Sequence, residues 1–495
     1  MILRRAALLG RPESERVDIL IDHGTITAVE YSGHLPSSDE HEEIDLDGRV
    51  VAPGFWDEHV HLGMWAENRR RVDLTAATSP DEAAQAMVEG QNHTDDPIVI
   101  GAGFRDGLWS VPKSRALLDH YSGSRPWVLW SIDIHSCWLN SAAIERLGVT
   151  SADQDGVLRE NDAFALAGRL SDVPDATRDE WVEDAIAEAN SRGVVGVVDL
   201  DLDDTHANWT RRRAGMDDFP LRVEAGVYPQ YLDQAIARGD RSGTPIAPGV
   251  SVGPLKVITD GSLNTRTAYC FEPYVGMDSD NRGSMNFSTD YLEGLLTQAK
   301  EHGFMAAFHA IGDEANDIVI GLFESLQLQG RIEHAQLLRT DAFSRLAKAG
   351  LVASVQPQHA IDDRDVADKY WADRSGRVIA LRSMLDKGVT LAFGSDAPVS
   401  ALHPMHQIAA AVTRTDDSRG PWHPEQRISV AEAIEASTRT TVDVGQPADL
   451  IALGADPLWL ERAMAHDPSA LSQAFRALPV ELTIVDGRVT HDTIR

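Results

Sequence analysis

Cysteine is almost missing: Cys137 and Cys270 are the only two in 495 residues. They can build no disulfide framework and lie in no Cys-x-x-Cys pair, so a reducing cytoplasm is the expected compartment. Lysine is nearly as scarce, with Lys113, Lys256, Lys300, Lys348, Lys369 and Lys387 the six present. Basic side chains number 45 against 77 acidic ones, a formal net charge of -32. Polyphosphate binding needs a basic surface that releases counterions, so nucleic acid is not an expected partner. No apolar run approaches the ~20 residues that span a bilayer, and the apolar stretch at the start is too short for a signal-peptide core. A soluble protein with no membrane partner is expected. No Gly-x-Gly-x-x-Gly follows a strand pattern, which removes the main mark of a nucleotide-binding doubly wound sheet.

What is present is a rhythm. Helix-like stretches end in glycine and apolar strands begin at once: Trp181 to Gly193 before Val194–Asp199, Tyr291 to Gly303 before Phe304–His309, Asp341 to Gly350 before Leu351–Gln356, and Ala380 to Gly388 before Val389–Asp396. Glycine suits the left-handed residue that ends a helix. Near-continuous apolar strands alternating with helices predict a parallel sheet buried on both faces. The fold class expected is α/β, a (β/α)8 TIM barrel over residues 54–441, its last helix starting at the capping box Ser429-Val-Ala-Glu432. The rhythm breaks between about residues 66 and 180, where Trp109, Trp127, Trp130 and Trp138 crowd together. That stretch reads as an inserted subdomain over the barrel mouth, its tryptophans more often core than ligand contacts. Residues 1–53 and 442–495 alternate as strand, turn, strand, and are expected to pair into a small β-sandwich beside the barrel.

Active sites of such barrels gather at the C-terminal strand ends, and there the polar residues of this chain collect. His59 and His61 lie two apart on one strand and share a face. His309, His334 and Asp396 close three later strands, and together they offer the nitrogen and oxygen donors that zinc-type sites use. Lys256 ends another apolar run; its plain reading is a barrel lysine paired with Asp260. A lysine made neutral by burial can instead capture carbon dioxide as a carbamate.

Taken together, Pro53-Gly-Phe-Trp-Asp-Glu-His-Val-His61, Leu255-Lys-Val-Ile-Thr-Asp-Gly-Ser262, Phe308-His-Ala-Ile-Gly-Asp313, Ile332-Glu-His334 and Phe393-Gly-Ser-Asp-Ala-Pro-Val399 resemble the amidohydrolase superfamily, in its amidohydrolase 3, or YtcJ-like, branch. The resemblance spans nearly the whole chain, including Asp133-Ile-His135 and Asn140-Ser141 of the insertion. It implies that His59 and His61 hold one divalent metal, with zinc the expected ion. It further implies that a carboxylated Lys256 bridges to a second ion held by His309 and His334, with Asp396 as ligand and proton carrier.

The reaction expected is metal-assisted hydrolysis of an amide-type carbon–nitrogen bond, not a peptide bond, in a small molecule or an N-acyl or N-formyl compound. A mononuclear deaminase or esterase on the same fold is the alternative, beside a barrel glycosidase using Glu333 and Asp396 and a catalytically silent scaffold. Gln356 and His359, at the seventh strand end, and Asp133 and His135, from the insertion, are candidate substrate contacts. At most one of Asp57 and Glu58 supports a histidine from behind. The partners expected are a small-molecule substrate and a second copy in a homodimer.

Overall fold

The structure is a computed structural model that describes residues 1–494 apart from 13, 38–40, 95, 171–172, 215–218 and 279, with backbone alone for 108, 168 and 169. Residues 95, 171 and 172 of the expected insertion and 495 of the terminal segment thus lie outside the described residues.

Eight strands lie side by side in chain order, all parallel: Phe55–Val60, Val194–Asp199, Arg222–Val227, Val250–Ile258, Ala306–Ala310, Gly330–His334, Val352–Val355 and Thr390–Phe393. The first two are buried along their whole length, because side chains fill the barrel on one face while helices cover the other. The chain leaving the eighth strand returns to the first. Asp396 N donates to His59 O at 2.7 Å, and Val60 bridges Ala397. Gly394 makes that approach possible, since a Cβ there would lie 2.5 Å from the backbone nitrogen of His59.

The helix boundaries follow local chemistry. Thr289–His302 is opened by Ser288, whose side chain accepts from Tyr291 N, and closed by Gly303 at φ 76°. Ala342–Ala349 ends at Gly350 with φ 64°. The expected capping box forms at Ser429 and Glu432, although the helix after it, Val430–Glu435, is short. The stretch expected to begin at Trp181 starts earlier, at Asp175, just after Pro174.

The two chain ends form one sheet of eight strands, joined where Val50–Pro53 pairs antiparallel with Leu450–Leu453. It has its own apolar core, including Leu3, Ile19, Ile44, Leu450 and Ile484. Between the first and second barrel strands a third sheet of five strands runs from Val72–Asp73 to Val157–Arg159. Trp127 and Trp138 are fully buried in it, and Trp109 packs on Phe104 and Trp138 at 5.5 and 6.5 Å between ring centres. No helix among the described residues is long and apolar enough to cross a membrane.

Candidate metal centre

The register of the barrel explains why distant residues converge. Ile258 lies opposite His309, and Ala310 opposite His334, so the ends of the fourth, fifth and sixth strands are level. His334 and Asp396 sit at φ 72° and 57°, a region that non-glycine residues seldom occupy. Such strain persists only where surrounding structure imposes it, and it clusters at functional sites. Here it turns both side chains at the end of their strands.

Two imidazoles are fixed from behind. His59 Nδ1 lies 2.6 Å from Glu333 Oε2, and His334 Nδ1 lies 2.8 Å from Gln356 Oε1. A carboxylate and an amide oxygen can only accept, so each Nδ1 carries the proton and each Nε2 keeps its lone pair. His59 Nε2 and His61 Nε2 each lie 3.3 Å from Asp396 Oδ1. Donor atoms of His59, His334 and Asp396 all fall within 4.8 Å of one another. His309 stands beside them, its ring centre 4.5 Å from that of His334, while its Nε2 is 3.4 Å from Gly261 O.

Electrostatics favour the protonation states a cation needs. Burial pulls the His59 imidazole down to about 4, and the Lys256 ammonium acts in the same direction. Burial, reinforced by His309, holds His334 well below the ordinary histidine value. Burial pushes Asp396 upward, but His59, His334 and His61 outweigh it and keep the carboxyl well below its usual range. Neutral imidazoles facing an ionised carboxylate form a donor set that suits a divalent metal. Residues orienting ligands from behind are the usual companions of such a set.

Lys256 is buried with Nζ 3.2 Å from His59 Nε2. Burial lowers its pKa to about 8 against the upward pull of Glu333 and Asp396. The pairing with Asp260 considered above does not form. Asp260 instead accepts from the backbone N–H groups of Tyr269, Ile311 and Gly312 at 2.9–3.1 Å.

His59, His61, Lys256, His309, His334 and Asp396 line one cavity, joined by His359, Asp133 and His135. His359 reaches within 3.8 Å of Asp396 Oδ2. Gln356 is fully buried behind His334 and does not line the cavity, so its bond to that imidazole replaces the expected substrate contact. Asp133 accepts from Ser262 Oγ at 2.6 Å, and His135 Nδ1 lies 2.7 Å from Glu160 Oε2. Burial would lower His135, but Glu160 and Asp133 outweigh it and raise the imidazole to about 9.

Neither Asp57 nor Glu58 supports an imidazole. Asp57 accepts from the backbone N–H of His59 and Ser395, while Glu58 is held by Arg331 and Arg439. The carboxylate behind His59 is Glu333, which the sequence offered only as a glycosidase acid. That role does not suit it. Burial pushes Glu333 upward, but Arg331 and His59 outweigh burial and keep it ionised well below the carboxylate range, whereas a glycosidase acid must hold its proton.

The model of the amidohydrolase family matches residues 42–491. The Bacillus subtilis protein YtcJ is 29% identical over 498 residues, covering 92% of this chain and 91% of its own. An N-substituted formamide deformylase of Arthrobacter pascens is 24% identical over 529 residues, covering 96% and 94%. Among solved structures, an uncharacterized metal-dependent hydrolase from Pyrococcus horikoshii superposes with a TM-score of 0.77 at 23% identity, over 92% of this chain and 98% of that one.

Proposed function

The chain belongs to the amidohydrolase family, and from that membership we propose that it is a metal-dependent hydrolase of a carbon–nitrogen bond other than a peptide bond. Its substrate is a small amide-type molecule such as an N-acyl or N-formyl compound. The observation that carries this reading is the meeting of His59, His334 and Asp396 donor atoms within 4.8 Å, two of the three anchored from behind. His59, His61 and Asp396 would hold one ion, and His309 and His334 a second, with zinc the metal best matched to imidazole and carboxylate donors.

A divalent ion there supplies a water acidified to near neutrality and a Lewis acid for the scissile carbonyl. The protein's own part is proton handling and order. Asp396, kept ionised by its histidine neighbours, accepts the proton of the attacking water and delivers it to the departing nitrogen, a role worth about 100-fold or more. Glu333 and Gln356 keep two imidazoles in one tautomer. Lys256, with no carboxylate partner among the described residues, would react as a neutral amine with carbon dioxide, losing a proton to give a carbamate able to serve as a further metal ligand.

Purified protein is expected to carry tightly bound zinc or a related ion. A chelator should abolish hydrolysis of N-formyl and N-acyl amines, and added zinc should restore it; full activity in metal-free protein would end the proposal. The Lys256→Ala variant is expected to hold at most about half the wild-type metal, partly restored by a short carboxylic acid. Wild-type occupancy measured by elemental analysis would remove the carbamate from this account.

A further inference from the structure

The cavity at the metal centre measures about 60 Å³, far below the ~300 Å³ at which small-molecule sites begin. It can take a small acyl group and little more. A second cavity of about 270 Å³ lies against it. The two share three wall residues, Ile134, Phe164 and Leu202.

Ile134 is the unusual one. It sits at φ 58°, where a β-branched side chain is strained. Its neighbours impose that conformation: Asp133 is tied to Ser262 of the barrel, and His135 to Glu160. Glu160 is tied in turn to Thr267 at 2.7 Å. The insertion is thereby latched to the loop after the fourth strand, with Ile134 held in the wall between the cavities.

The chemistry of the second cavity is apolar beside that wall and charged at its far side. Trp130, Phe164, Leu202 and Tyr231 line it, together with Arg71, Arg178 and Arg212. Each of those guanidiniums faces a carboxylate, although Arg212 Nη2 has no hydrogen-bond partner among the described residues. Arg71 and Arg178 meet Glu67 at 3.3 and 3.1 Å, and Arg212 meets Asp179 at 2.9 Å. Asp201 and Asp203 line the same space. With Glu67, Asp201 and Asp203 set against three arginines in the same lining, an incoming carboxylate would lose its water without meeting an excess of positive charge, a costly exchange.

We propose that this second cavity receives the substituent on the substrate's nitrogen, that Ile134 is the residue setting its size, and that the substituent is neutral and apolar, an aryl or branched alkyl group. The proposal rests on the hydrolase reading above.

The test uses zinc-loaded full-length protein and a series of N-methyl-, N-butyl- and N-benzylformamide with N-formylglycine. Expected is a rise in kcat/KM of about fourfold per added methylene, with N-formylglycine the poorest substrate. Ala167→Phe, which projects into the same cavity, should lower the benzyl-to-methyl ratio about tenfold, whereas Ile134→Ala, which removes part of the wall, should raise it. Hydrolysis that is indifferent to size, or best with N-formylglycine, overturns the cavity assignment and leaves the hydrolase intact. If no formamide is cleaved, calorimetric binding of N-benzylformamide decides. Binding weakened about tenfold by Ala167→Phe keeps the cavity and removes only formamides from the substrates of the hydrolase, whereas no binding, or binding unchanged in both variants, overturns the cavity.

Discussion

The Asp396→Asn variant is expected to lose about 10²–10⁴-fold in kcat on any substrate the enzyme cleaves, with the protein still folded. Asparagine nearly matches the shape of aspartate but cannot take up a proton. The backbone at this position is anchored independently of the side chain, because Asp396 N donates to His59 O at 2.7 Å. The carboxylate is also the only acidic group within 4 Å of His61 and His359 among the described residues. Losing it removes the base from the site without unpicking the barrel. Steady-state kinetics with metal analysis would separate its two roles: a fall in kcat at full metal content isolates proton transfer, and a matching fall in metal content assigns ligation. A variant with wild-type kcat would leave Asp396 no part in catalysis.

The second large effect concerns stability. Arg331→Ala is expected to cost about 3–5 kcal/mol, because it strands buried carboxylates rather than merely deleting a bond. Arg331 is buried between Glu58 and Glu333, and it also donates to Ser354 Oγ at 2.7 Å. Glu58 would retain Arg439, but Glu333 would keep the hydrogen bond from His59 Nδ1 and lose the guanidinium that balances its charge. The damage should reach the metal centre, since Glu333 orients His59. Denaturant unfolding followed by metal titration measures both consequences. Asp341→Asn makes the contrast: its pair with Arg339 has side chains 60% and 49% exposed, so a change of about 0–1 kcal/mol is expected. Equal effects from the two variants would mean that the buried network carries no special weight.

Much of this arrangement was legible without coordinates. Apolar runs ending in His61, Lys256, His309, His334 and Asp396 announced strands that open on one rim, and glycine stops before them announced the helices between. Periodicity specifies which face of a strand a residue occupies, and it says nothing about which residue of another strand stands opposite. Glu333 therefore looked like half of a carboxylate pair when it is the partner of His59, and Gln356 looked like a substrate contact when it lies behind His334. Asp260 looked like a partner for Lys256 although it binds backbone N–H groups instead.

The chain by itself determined the donor chemistry and the alternation that closes a barrel, because residue type and period are local properties. Tertiary structure alone decided which acceptor fixes each imidazole, how Arg331 reconciles two buried acids, and where the insertion meets the rim. Those outcomes join residues as far apart as His59 and Glu333, 274 positions in sequence, and are set by strand register and packing, which no local pattern encodes.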